Sequence, residues 1–418
     1  VFQVALSHEA VREISLKTDG WVMGTLLLGL QMGQGHGRSP GSAWGGAAGD
    51  DIREYFRRKV FAALAPRLRE PLLHLSLLED IPVPLAELLL EEPGIGKALG
   101  NLARRNIFIR RLDPGGTVFC LHHLFRQFLR EKAATELDAG NIRQLYKRAG
   151  AYFFQRDNPA QALRYYLQAR DYGAMEATLC ACGAAMLATN QTATLAAILG
   201  DIPKPDLARL GWASLILALA QMDFAPARAL PLLSEALAVF SRVHDESGEL
   251  LCLAHIIAIH ITTTGHYREG LGLLERAEDL FSRKSGQLDV FTTILVARSL
   301  AMGRCIFLAD TEKSLQYATL ALTLATKEEL VNFEAALLMA MGYIRVFAGH
   351  RIAAKQWMER ASAILLRPEV GTFNCLAIRM MLFNHLFHEG DFDNYFRQKK
   401  QLAADFGQVL FSQSIAGP

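Results

Sequence analysis

The sequence predicts an all-α protein: a winged-helix domain with one β-hairpin, followed by a tetratricopeptide-like α-solenoid. Three observations predict it. Hydrophobic residues make up 51% and charged residues 21% of 418 residues, with 44 basic against 42 acidic side chains. This excludes a disordered chain, which needs low hydrophobicity and high net charge, and leaves length for two or three domains. Second, several short helical segments lead into two β-rich runs around the turn Asp113-Pro114-Gly115-Gly116, a hairpin signal in a helical context. Third, an internal repeat of about 40 residues runs through the second half.

From the N-terminus, residues 1–32 read as helical, and residues 33–49 form a Gly-rich linker with Pro40 and seven glycines. Residues 50–137 form the winged helix. Asp50 or Asp51 is the expected N-cap of a helix over 52–64, and Pro66, Pro82, Pro84 and Pro93 punctuate the helices that follow. The hairpin pairs 107–112 with 117–121, and a helix resumes at His122-His123-Leu124-Phe125.

Residues 141–407 are read as repeats and 408–418 as a tail. Segments 229–236 and 270–277 align at an offset of 41, and Ala162–Ala169 shares their pattern. Turns recur at Gly265, Ala309-Asp310, Gly349 and Gly390-Asp391, spaced 44, 40 and 41 residues apart. Ala277, Ala321 and Ala361 each stand twelve residues after such a turn. Small residues there let helices approach closely, and each helical pair buries its apolar face only against its neighbours.

A formal charge of +2 supplies no global basic field for nucleic acid. Mean hydropathy is +0.15, yet no uninterrupted apolar run approaches the roughly 18 residues of a membrane helix, so no membrane association is expected. Six scattered cysteines without a CxxC pair argue against a disulfide framework or zinc ribbon, and a reducing, cytoplasmic setting is expected. Cys180-Ala181-Cys182 is read as small residues in a packed helix rather than half a metal site. His122-His123 suggests no metal either, since neighbours on a helix point about 100° apart. No nucleophile–base or paired-carboxylate pattern emerges, so no enzyme activity is expected. The start at Val1 reads as part of something longer.

Three segments carry a family resemblance. Thr18-Asp19-Gly20-Trp21-Val22-Met23-Gly24 resembles the segment that closes the helical part of a STAND-type ATPase. Asn106-Ile107-Phe108-Ile109 through Leu121-His122-His123-Leu124-Phe125-Arg126-Gln127-Phe128-Leu129 resembles the winged-helix block of MalT-type regulators of the LuxR family. Ala160-Gln161-Ala162-Leu163 to Asp171-Tyr172 resembles the start of their solenoid. The resemblance implies a nucleotide, ATP or ADP with magnesium, held between a P-loop domain and the winged helix. ADP would hold a closed form; ATP and an inducer would open it and permit self-association. DNA would be bound through a C-terminal helix-turn-helix domain.

By the same resemblance His122 is the sensor of the ADP phosphate, and Gly20 and Val22 lie near the adenine. Val22 stands where the family pattern commonly has proline, and His123 where the related motif has aspartate. No GxxxxGK[ST] occurs in the sequence, and Gly94-Ile95-Gly96-Lys97-Ala98 lacks the hydroxyl residue after lysine. No helix-turn-helix is visible before Pro418. Such a chain is expected to hold no cofactor by itself, hydrolyse no ATP and show no specific DNA binding.

In the repeats, His260, Arg304 and His385 stand five residues before a turn and Arg345 four before. They are candidates for a basic stripe on the concave wall that meets a small-molecule inducer, an anionic ligand or a regulatory protein. The alternative is a helical-repeat scaffold for protein–protein interaction without nucleotide control. Arg104, Arg105, Arg110 and Arg111 around the wing are read as a solvated face rather than a DNA contact.

Overall fold

The computed structural model describes residue 12 and residues 47–105, 107–189, 191–222, 226–261, 267–284 and 286–411. The chain divides into two compact units, one through Arg156 and one from Asp157. Apart from residue 12, the expected helical stretch 1–32 lies outside the described residues, as do residues 33–46 of the linker.

The first unit opens with α1 (Ala47–Tyr55), followed directly by a π-helical turn, Phe56–Phe61. The expected N-cap at Asp50 or Asp51 is corrected: the helix begins at Ala47, and Asp50 sits inside it, paired with Arg53 one turn on. Next come α2 (Pro66–Leu75), β1 (Ile81–Pro82), α3 (Val83–Leu90) and α4 (Ile95–Arg104). Proline at the first turn starts α2 and α3, where its missing N–H costs nothing. The hairpin is β2 (Ile109–Arg111) with β3 (Val118–Leu121), and β1 adds a third strand that pairs antiparallel with β3 on its other edge. That strand was not expected, because two residues, one of them a proline, carry no period.

The wing turn is closed by Asp113. Its carboxylate accepts from the Thr117 amide at 2.9 Å, the Thr117 hydroxyl at 2.9 Å and the Val118 amide at 2.7 Å. These donors hold its pKa below the ordinary aspartate value, the Thr117 amide contributing most. α5 (His123–Glu136) and α6 (Ala139–Phe154) complete the unit. α6 spans the expected start of the repeats at 141, and its Arg148 reaches Glu91 and the Leu88 carbonyl at the end of α3, so this helix packs with the winged helix. The core is aromatic, with Phe56 against Phe108, Phe125 and Phe128 at centroid distances of 5.0, 5.3 and 5.8 Å. Such pairs add roughly 0.5–1.5 kcal/mol each beyond area burial.

The second unit is helical throughout its described residues: α7 (Pro159–Ala169), α8 (Tyr172–Ala188), α9 (Thr192–Gly200), α10 (Lys204–Leu207), α11 (Gly211–Met222), α12 (Pro226–Val243), α13 (Glu246–Ile259), α14 (Tyr267–Lys284), α15 (Val290–Leu308), α16 (Thr311–Lys327), α17 (Val331–Phe347), α18 (Arg351–Ile364), α19 (Thr372–Glu389) and α20 (Phe392–Phe411). α20 runs past the expected end at 407. Consecutive helices pack on one another, and α13, α15, α17 and α19 also pack in series. Ala277, Ala321 and Ala361 are fully buried, as their role at helix crossings requires.

Aspartate starts many of these helices. Asp171, Asp245, Asp289 and Asp310 each accept the backbone N–H three residues on, at 3.0–3.2 Å. A cap of this kind is worth about 1 kcal/mol. α17, α18 and α19 begin without one. Close approach sets two glycines: a Cβ on Gly211 or Gly248 would lie 2.6 or 2.5 Å from the Phe240 ring, which wedges between α11 and α13.

α15 is long and apolar enough to cross a membrane by length and composition alone, although it is not an uninterrupted apolar run. It carries Arg298 and Arg304, and half of its apolar window is buried in the array.

Candidate functional site

His122 is placed by two elements. It follows β3, and its own N–H donates to the Phe108 carbonyl at 2.8 Å, which extends the hairpin by one bond. It is also the N-cap of α5: Nδ1 accepts the Leu124 N–H at 3.3 Å, and its carbonyl takes the first helical bond from Arg126 at 2.8 Å. Because Nδ1 accepts, the neutral ring carries its proton on Nε2. Phe108 meets the His122 ring edge-on at 5.8 Å. The expected 100° splay of His122 and His123 is corrected, since His122 has extended ψ and the two rings stack at 4.7 Å.

Sequence reasoning missed Phe108. Its φ of +51° is the left-handed region, which costs a bulky residue energy and is held only by surrounding packing. It also missed Arg126 and Arg130 on α5, which donate to carbonyls of Ser76, Leu77 and Glu79 at 2.8–3.2 Å. Cations on the unpaired carbonyls at the end of α2 fix α5, and His122 with it. Around the wing, Arg104 bonds Asn101, and Arg110 donates to Cys120 Sγ at 3.0 Å. Gly20 and Val22 lie outside the described residues.

The four repeat residues do not form one exposed basic stripe, and that expectation is corrected. His260 is buried at the end of α13. Arg304 on α15 is bidentate on Glu278 of α14, with Asp310 at 3.6 Å, and both partners of the main pair are largely buried. The Glu278 contact, as the largest cause, holds the Arg304 guanidinium in its charged form. His385 is half-buried on α19.

Arg345 on α17 has a different setting. It lines an open groove of about 540 Å³ shared by α16, α17 and α18. Leu322, Met341 and Trp357 supply its apolar surface, and Lys327 and Arg360 join Arg345 as cations. Arg345 Nη1 lies 3.4 Å from His350 Nδ1, while its Nε is buried with no hydrogen-bond partner. Thr319, Thr323 and Thr326 line one face of α16 at helical spacing, a signal visible in the sequence once the helix is drawn.

Beneath the outer helices, His255 is 2% exposed with both ring nitrogens unpartnered, and burial, with Arg298 adding, pulls its pKa down to about 3. Cys180 and Cys182 lie two positions apart on α8, pointing to different sides. Among the described residues no group of three or more His, Cys, Asp or Glu could hold a metal ion.

A winged helix and a helical-repeat array in one chain are the two parts the sequence associates with STAND-type regulators, and comparison with known proteins places the resemblance more closely. Residues 57–140 match the family described as the MalT winged helix domain. The HTH-type transcriptional regulator MalT of Yersinia pestis (strain Pestoides F) is 27% identical over 191 residues, 45% of this chain and 21% of the relative. The same regulator from Yersinia enterocolitica serotype O:8 is 28% identical over 159 residues, 38% of this chain and 18% of the relative. The matched stretch thus spans about a fifth of those relatives' length. A STAND protein with a tetratricopeptide repeat sensor from Pyrococcus horikoshii shares the fold, with a TM-score of 0.62 at 13% identity, over 97% of this chain and 58% of that one. The chain thus carries a winged helix similar to that of MalT, and its helical-repeat fold is shared with that STAND protein.

Proposed function

We propose that this chain is the regulatory and sensor portion of a nucleotide-gated transcriptional activator. In this reading the winged helix relays nucleotide state, and the repeat array binds an inducer or partner protein. The carrying observation is the MalT winged-helix match over 57–140, within which His122 is fixed at the N-terminus of α5. A helix N-terminus suits an anion, and a neutral imidazole with its proton on Nε2 suits donation to a phosphate oxygen. The residues present fit one phosphate contact rather than a nucleotide cradle, because the sequence has no GxxxxGK[ST]. ATP or ADP with magnesium would therefore bind in a parent chain that supplies that loop, where the nucleotide's phosphates provide the charge that distinguishes two states. The two ligands would bias one two-state equilibrium, with self-association in the open state and DNA bound through a separate domain.

The test is to read the coding sequence on both sides of this one. A phosphate-binding loop upstream and a helix-turn-helix downstream are expected. In that parent, His122→Ala should weaken ADP binding about tenfold, the loss of one charge-assisted hydrogen bond. A complete reading frame without the loop would overturn nucleotide control. The scaffold reading draws its own support from Phe387, Phe392 and Phe396, which are exposed on α19 and α20; it predicts partner binding indifferent to nucleotide.

A further inference from the structure

The groove on α16–α18 has the composition of a small-ligand site, and the repeat before it shows why. In both repeats the turn after the inner helix donates an N–H back to an arginine carbonyl, Asp310 to Arg304 at 3.1 Å and His350 to Arg345 at 2.9 Å. In the first repeat the side chain of that arginine is taken by Glu278 and Asp310. In the second, His350 follows its turn as Asp310 does, and Leu322 stands where Glu278 stood, each thirteen residues past a turn. Among the described residues Arg345 and Arg360 form no ion pair with a carboxylate, and Lys327 meets Glu328 only at 3.7 Å. Glu334 stands off to the side, 3.4 Å from the Thr326 hydroxyl.

A half-buried guanidinium with an unpartnered Nε is costly to leave unmatched. Arg360 lies over the Trp357 ring at 4.4 Å, which holds its charge at the groove. Resting on the proposed ligand-sensing role of the array, we propose that this groove binds a small organic dianion, a phosphate ester or dicarboxylate with an apolar body. Arg345, Arg360 and Lys327 meet the charge, the threonine hydroxyls of α16 add hydrogen bonds, and the body lies on Leu322, Met341 and Trp357. A volume of about 540 Å³ falls in the range of small-molecule sites, roughly 300–1,000 Å³, and three cations gathered over one apolar floor suit a compact ligand's charge and body.

The experiment titrates the full 418-residue chain by calorimetry at constant ionic strength, with phenyl phosphate in one arm and phthalate in the other. Saturable binding in either arm is expected, with a change in Trp emission that Trp357→Phe removes. The two arms separate phosphate from carboxylate recognition. Arg345→Met with Arg360→Met should weaken binding at least tenfold with circular dichroism and Tm unchanged, whereas Arg164→Met on α7 leaves it intact. No saturation in either arm, equal binding by the double variant, or saturation only by an acidic peptide overturns the proposal. Binding that leaves self-association of the parent unaltered upholds the groove and overturns the sensor reading. Failure to bind, while the parent responds to another ligand, overturns the groove alone.

Discussion

Arg304 on α15 is locked to Glu278 and Asp310, whereas Arg345 on α17 shares a groove with Lys327 and Arg360 and has His350 beside it. Both arginine carbonyls are reached from the turn that follows, by an N–H six residues on in the first case and five in the second. The side chains around the two arginines separate their roles. Carboxylates beside Arg304 turn its charge into a structural tie between α14 and α15, and their absence beside Arg345 leaves that charge to an external partner. A repeat array keeps its crossings, here Ala277, Ala321 and Ala361, and varies the side chains between outer helices. Where such a charge is matched internally it serves stability, and where it is not it serves recognition.

The largest way to break this comparison is Arg304→Met. Glu278 would stay largely buried without its partner, and because the pair is 16% and 14% exposed, the expected loss is about 2–3 kcal/mol, somewhat below that of a fully buried pair. Urea unfolding measures it. Next is acid. His255 titrates near 6.5 when unfolded and at about 3 in the array. Between those values the unfolded chain binds one proton more, so the array loses about 1.4 kcal/mol per pH unit as pH falls, roughly 2 kcal/mol by pH 5. His255→Leu should flatten that part of the stability curve. Third, His350→Asp makes the setting of Arg345 like that of Arg304. It adds a cap to α18 and a carboxylate beside Arg345, for a gain of about 1 kcal/mol, and should abolish anion binding. Smallest is Arg345→Met, which breaks no ion pair among the described residues and is expected to move stability by less than about 0.5 kcal/mol. A loss like that of Arg304 would show the two settings to be alike.

The repeats were legible because alanine spacing and turn residues recur with a period, and periodicity survives in one dimension. The wing was legible because Asp113-Pro114-Gly115-Gly116 is a local turn code. β1 was not, since Ile81-Pro82 is a strand only through its partner Phe119. The division after Arg156 was hidden for a similar reason: α6 looks like any amphipathic helix, and its allegiance rests on Arg148 reaching back 57 residues to Glu91. At the candidate sites, sequence marked His122 and Arg345 but misjudged their company. Counting back from turns placed four basic residues in register; it could not see that Glu278, 26 residues away, neutralises one of them.

The missing caps have a consequence for how the array opens. Each helical pair leans only on its neighbours, so the cost of opening is set locally rather than shared along the chain. Asp245, Asp289 and Asp310 tie down α13, α15 and α16, whereas α17, α18 and α19 start with no side-chain cap. Amide protons at the beginnings of these three helices should exchange with solvent first. A ligand held by residues of α16, α17 and α18 would slow that exchange, so that occupancy is written into the protection of the backbone without any change in the path of the chain.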